Sequence, residues 1–174
     1  HDGREMGTEG DSFFVVFASA QQAVAAAIAG QRGLRQHEWP GLVPLRVRIG
    51  LHTGEPEWHD DDFIGIDVHR AARIAGAAHG CQIVVSASTQ RLVVGGDDFR
   101  LRDLGLHRLK DLTELEHLFD VEAPGLDEEH PPLRSLGTSA NLPTYATELI
   151  GRSAEVAAIC DSIDLDLGGG RGDL

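Results

Sequence analysis

The nine residues Gly65-Ile66-Asp67-Val68-His69-Arg70-Ala71-Ala72-Arg73 constrain this chain more than any other segment. They follow an acidic turn, Asp60-Asp61-Asp62, and come well after a Glu9-Gly10-Asp11-Ser12 turn. Residues four apart on a helix share a face, so a helix opening at Gly65 carries His69 and Arg73 one turn apart on one side. The Gly-Asp turn before Phe13-Phe14-Val15-Val16-Phe17 signals a β-hairpin whose first strand is Arg4 to Thr8. The apolar, β-branched composition of the second strand predicts that it is central and buried.

The remaining segments alternate between strand and helix. Alanine-rich sequence from Ser19 to Gln36 favours a helix packed on a sheet, with Ser19 as its N-cap. Leu45 to Leu51 alternates apolar and basic residues, the pattern of a half-buried strand running into His52-Thr53-Gly54-Glu55. A short return strand is expected after the acidic turn, then the helix from Gly65 to about Ala78. Cys81 to Ser86 predicts another strand, and Ser86-Ala87-Ser88-Thr89 begins a short helix stopped by Gly95-Gly96. Phe99 to His107 and Leu115 to Glu122 form two strands around Lys110-Asp111-Leu112, anchored by Leu118, Phe119 and Val121. Beyond Ala123, Pro124, Gly125, Pro131, Pro132 and the acidic run Asp127-Glu128-Glu129 predict a solvated linker.

Composition narrows the function classes. A formal charge of −13 argues against a nucleic-acid surface, which needs clustered Lys and Arg. No apolar run approaches the roughly 18 residues of a membrane span. The two cysteines, Cys81 and Cys160, lie far apart without metal-ligand spacing, which suits a reducing cytoplasm. The chain opens on His1 with no initiating Met or signal-peptide pattern and reads as a piece of a longer protein.

The constellation of Asp11, Asp62 and Gly65-x-x-Val68-His69-x-Ala71-x-Arg73, followed by Leu104 to Leu112, resembles the class III adenylate/guanylate cyclase catalytic domain. The resemblance is to the actinobacterial type fused to a signal-transduction ATPase transcriptional regulator. It covers residues 1–122 and implies an α/β (α+β) sandwich of ferredoxin-like descent, a mostly antiparallel sheet covered by helices, without its first strand and leading helices. Residues 123–147 would be a Pro/acidic linker. Residues 148–174, opening near Ile150-Gly151-Arg152, resemble the start of an ATPase module that ends without a phosphate-binding Gly-Lys-Ser/Thr.

The resemblance also implies roles. Asp11 would hold a catalytic Mg or Mn ion, its companion aspartate lying on a strand before His1, so that only half of a two-ion site is present. Asp62 would accept from the adenine amino group and favour ATP over GTP, although Asp60 and Asp61 leave the register open by one residue. Gly7 stands where the family carries a base-reading lysine. His69 stands where an asparagine orients the ribose, and Arg73 would stabilise charge on the pentavalent phosphorus. Lys110 would neutralise the triphosphate, although the segment alone equally suits an exposed turn lysine. Family members work as head-to-tail homodimers, with Asp11 from one protomer and Asp62, His69, Arg73 and Lys110 from the other. The implied reaction converts ATP to cyclic AMP and pyrophosphate, weakly or not at all in this chain. The alternative is a catalytically silent nucleotide-binding or dimerisation module that regulates the attached ATPase-linked regulator. No membrane or direct nucleic-acid partner is expected.

Overall fold

The computed structural model describes residues 1–41, 44–60, 62–126 and 129–136. The Gly-Asp turn folds as the sequence predicts, joining β1 (Arg4–Glu9) to β2 (Ser12–Val16) through Gly10 at φ 61°. Glycine takes that left-handed conformation without a Cβ penalty. Ser19 then caps α1 (Ala20–Gln36), its side chain accepting from the Gln22 amide at 3.4 Å. After α1 come β3 (Ile49–Leu51), the ribbon β4 (Glu57–His59) and β5 (Asp62–Ile64), and α2 (Ile66–Ala77). β6 (Ile83–Ser86), α3 (Ala87–Gln90), β7 (Arg100–Arg108) and β8 (Leu115–Glu122) complete the fold.

The main sheet has the order β3-β6-β8-β7. β3 and β6 run parallel across α2, whereas β6 with β8 and β7 with β8 are antiparallel, in keeping with a mostly antiparallel sheet. Successive strand residues face opposite sides, and β6, buried at every position, separates two apolar clusters. Ile83 and Val85 join Val24, Ala27 and Ile28 of α1 with Phe99 and Val121. Val84 joins Ile74 and Ala77 of α2 with Leu109, Leu112 and Leu118. The α2 side is unusually close, since a Cβ on Gly50 would fall on the Ala75 amide nitrogen and the Ala71 carbonyl. Only glycine at that position lets the helix rest directly on the strand backbone.

Three sequence expectations change. First, β2 is neither central nor buried. It pairs only with β1 in a separate two-stranded sheet, leaving Phe13 72% exposed, because a strand with one neighbour and one covered face cannot bury its alternate side chains. Second, the strand expected from Leu45 is regular only over Ile49–Leu51, where pairing with β6 begins at Ile49 opposite Ile83. Upstream the ladder reduces to one bond, from the Cys81 amide to the Val47 carbonyl.

Third, the described part of the expected linker is exposed at most positions, as expected, but is anchored to the domain where Ala123, Leu126 and Leu133 are buried. Ala123 and Leu126 enter the α1-side cluster, and Arg32 and Arg35 of α1 donate to the Pro124 and Gly125 carbonyls. Leu133 enters the α2-side cluster. The Arg134 amide donates to the Ala77 carbonyl, the Leu136 amide donates to the Arg108 carbonyl, and His107 bonds Ser135. These bonds satisfy backbone groups at the α2 terminus and the β7 end, so prolines that exclude regular structure do not exclude packing. The rest of the linker and the region expected to be ATPase-like lie outside the described residues.

Candidate nucleotide site

Arg73 of α2 reaches the β7–β8 turn that carries Lys110 through an interaction that the sequence separation gives no hint of. An Arg73 guanidinium nitrogen lies 2.6 Å from an Asp111 carboxylate oxygen. Asp111 sits in the tight β7–β8 turn at φ 60°, immediately after Lys110, which is exposed. His69 lies one turn before Arg73 and is also exposed. One helix face and one hairpin turn thus carry the exposed His69 and Lys110 and the half-buried Arg73, whose charge is paired with Asp111, so a phosphate chain would have to compete with that carboxylate.

Asp62 opens β5 and is exposed, but its Oδ1 accepts from the Phe63 amide at 2.8 Å, so the carboxylate is partly engaged in shaping its own turn. Asp61, the neighbouring register, lies outside the described residues. The β4–β5 ribbon is tied to the β1–β2 hairpin by the Arg4 guanidinium, 5.4 Å from the centre of the Trp58 ring, with Phe63 edge-on at 4.8 Å. Gly7 is exposed in β1 and a Cβ there would meet nothing, so a side chain at that position would be free to reach outward.

Asp11 is exposed at the hairpin tip. Among the described residues no group of three or more His, Cys, Asp or Glu side chains could hold a metal ion. Asp11 is thus the one candidate ligand from the sequence reading, with no such group gathered around it among the described residues, and these residues do not by themselves fit a pair of ions.

Sequence reasoning passed over a polar network beneath the α2 face. His52, whose side chain is 5% exposed, stands between the Ser86 hydroxyl at 2.8 Å from Nδ1 and Asp67 Oδ1 at 3.1 Å from Nε2. Asp67 Oδ1 also accepts from Arg70 at 2.8 Å, and Oδ2 accepts from the Glu55 amide at 3.0 Å. Arg70 Nε lies 2.6 Å from Glu116, close enough for a strong ion pair but outside hydrogen-bond geometry. Ser86 caps α3 by accepting from the Thr89 amide, and Thr89 bonds Thr53. Burial holds the His52 pKa below its ordinary value despite the opposing pull of Asp67, so His52 is neutral at pH 7. Burial raises the Asp67 carboxyl, but the Glu55 amide, His52 and Arg70 outweigh it and the net shift is downward. An ionised Asp67 accepts only, so Nε2 of His52 carries the proton and Nδ1 accepts from Ser86. The two glycines around His52, Gly50 and Gly54, were the available signal, since each permits close approach of another backbone or side chain.

No protein-family model matches the chain. An uncharacterised protein of Mycobacterium tuberculosis is 40% identical over 153 residues, which are 86% of this chain and 51% of that protein. An adenylate cyclase of Mycosarcoma maydis is 36% identical over 109 residues, 48% of this chain and 4% of that enzyme. The chain thus spans about half the length, or less, of these relatives. Among solved structures, an adenylate cyclase of Trypanosoma brucei in its monomeric state superposes with a TM-score of 0.69 at 21% identity, covering 76% of this chain and 74% of that one. An adenylate/guanylate cyclase/hydrolase of Silicibacter pomeroyi gives 0.62 at 26% identity, covering 71% and 74%. The sheet order, the flanking helices and these likenesses agree: the chain has the ferredoxin-like α+β fold of adenylate/guanylate cyclase catalytic domains.

Proposed function

We propose that residues 1–122 are an adenylate cyclase-type module that binds ATP as a head-to-tail homodimer in the cytoplasm. The observation that supports the reading is the Arg73–Asp111 ion pair, which ties the α2 face carrying His69 to the turn carrying Lys110 on the cyclase fold. Arg73 would bind the polyphosphate as a planar fork and Lys110 as a point charge, with His69 donating to the ribose and Asp62 accepting from the adenine amino group. In the reaction of this class the ribose 3′-oxygen gives up its proton and bonds the α-phosphorus. The bond from that phosphorus to the bridging oxygen breaks, and pyrophosphate leaves. The preorganised cations would favour the charge that develops on the phosphoryl oxygens.

A second reading, a silent nucleotide-binding module regulating an attached ATPase-linked transcriptional regulator, is favoured by Gly7 and His69, which stand where the family carries a lysine and an asparagine. Titrating the chain with ATP and Mn²⁺ by calorimetry, and assaying cyclic AMP in parallel, separates the two. Arg73→Ala and Lys110→Ala should each weaken ATP binding about tenfold or more, since a charge-assisted bond contributes on the order of 1.5–3 kcal/mol. Binding without product supports the silent reading. Binding unchanged by both substitutions removes the site. Product formation that Asp11→Ala abolishes would favour the catalytic reading.

A further inference from the structure

We propose that Asp67 is a positioning residue that fixes the rotation at which α2 presents His69 and Arg73. The proposal rests on the nucleotide-site reading for its consequence, but its physical content is independent of ligand.

At about 100° per residue, His69 lies roughly 200° and Arg73 roughly 240° around the axis from Asp67, while the two lie only about 40° apart. Asp67 thus points away from the face they share. The exposures agree, since Asp67 and Arg70 side chains are 20% and 21% exposed, whereas His69 is open to solvent. The inward face of the first turn is gripped from several directions. Asp67 accepts from His52 at the end of β3, from the Glu55 amide in the following loop, and from Arg70 one turn along α2. Arg70 reaches on to Glu116 in β8, and His52 reaches Ser86 at the end of β6. A Cβ at Gly54 would fall on the Asp67 carboxylate, so the loop and helix approach as closely as glycine permits.

The second half of α2 has its own hold. Gly50 lies directly beneath Ala71 and Ala75, and Ile74 and Ala77 are in the core. Loss of Asp67 should therefore loosen only the first turn, disturbing His69 while leaving Ile74 to Ala77 seated. A residue with a merely general stabilising role would loosen the helix evenly.

The carboxamide isostere gives a sharper signature. Asp67 Oδ1 faces two donors, His52 Nε2 and Arg70, and Oδ2 faces one, the Glu55 amide. In Asp67→Asn the amide oxygen takes the place with two donors and the NH₂ turns toward the Glu55 amide, so His52 keeps its proton on Nε2 and only the Glu55 bond is lost.

The test uses ¹⁵N-labelled chain in three forms, wild type, Asp67→Asn and Asp67→Ala. Long-range imidazole spectra should report the Nε2–H tautomer of His52 in both the wild type and Asp67→Asn, while amide exchange in Asp67→Asn should accelerate at Glu55 and not at His69. In Asp67→Ala, amide exchange at Glu55 and His69 should accelerate about tenfold or more while Ala77 and Ala78 change less than about twofold. ATP and Mn²⁺ titration is run on the same samples, with weaker binding expected for Asp67→Ala and partial rescue by Asp67→Asn. Unchanged exchange at Glu55 or a switched His52 tautomer in Asp67→Asn, or uniform acceleration along α2 in Asp67→Ala, overturns the proposal. If the wild type binds no ATP while tautomer and exchange behave as expected, the nucleotide reading fails and the positioning role stands.

Discussion

Replacing Leu133 by Ala measures how far the segment after β8 belongs to the folded domain. Leu133 is 9% exposed and packs with Ile74, Ala77, Leu109, Leu112 and Leu118. The change removes three carbons; at about 0.8 kcal/mol per buried CH₂ the transfer loss is about 2.4 kcal/mol. The site lies at the edge of the α2-side cluster on a segment without regular structure, so partial collapse should keep the cavity contribution small. The expected total is about 2–3 kcal/mol, near the low end for a core leucine. For a domain of this size each kcal/mol moves the melting temperature by about 3 °C, so a fall of about 6–9 °C is expected. Leu136 is 68% exposed and serves as the control, with Leu136→Ala expected to stay within about 0.5 kcal/mol of the wild type. Calorimetric or circular-dichroism melts of the three proteins at one concentration read the effect. If Leu133→Ala melts within about 1 °C of the wild type, the segment is a solvated linker after all and the packing argument is wrong.

Asp111→Asn should tighten tripolyphosphate binding by about two- to fivefold in calorimetry, because the guanidinium of Arg73 no longer needs to leave an exposed ion pair contributing about 0.2–1 kcal/mol; weaker binding would mean that Asp111 itself helps to place Lys110. The stability of the chain should fall as pH drops below about 6.5, since the unfolded state then takes up a proton that buried His52, with its lowered pKa, resists. Urea titrations across that range should show the slope in the wild type and a shallower one in His52→Gln; equal slopes refute the assignment. Gly50→Ala should destabilise by about 1–3 kcal/mol or prevent folding, because its Cβ meets α2 backbone rather than a movable side chain; a wild-type denaturation midpoint would show that α2 does not rest on β3.

Local chemistry, acting over a few residues at a time, determined much of this protein. Ser19 before an alanine-rich run dictates where α1 starts, the Gly10-Asp11 turn dictates a hairpin, and the spacing of His69 and Arg73 places both on one helix face. β7 and β8 were equally legible, because apolar alternation and a tight turn act over a few residues. Tertiary structure alone decided what covers each face. β2 has the composition of a central strand, yet burial requires a layer over each face, and among the described residues β2 pairs with β1 alone and leaves Phe13 exposed. Residues 129–136 have the composition of a linker, yet one leucine and a few backbone bonds dock them on α2 and β7. The His52 network was hidden for the same reason. Its bonds join residues 15 and 34 positions apart, and hydrogen-bond partners at that range leave no periodicity in the chain; they exist only where the sheet and the helix bring polar groups into a buried place that demands their satisfaction.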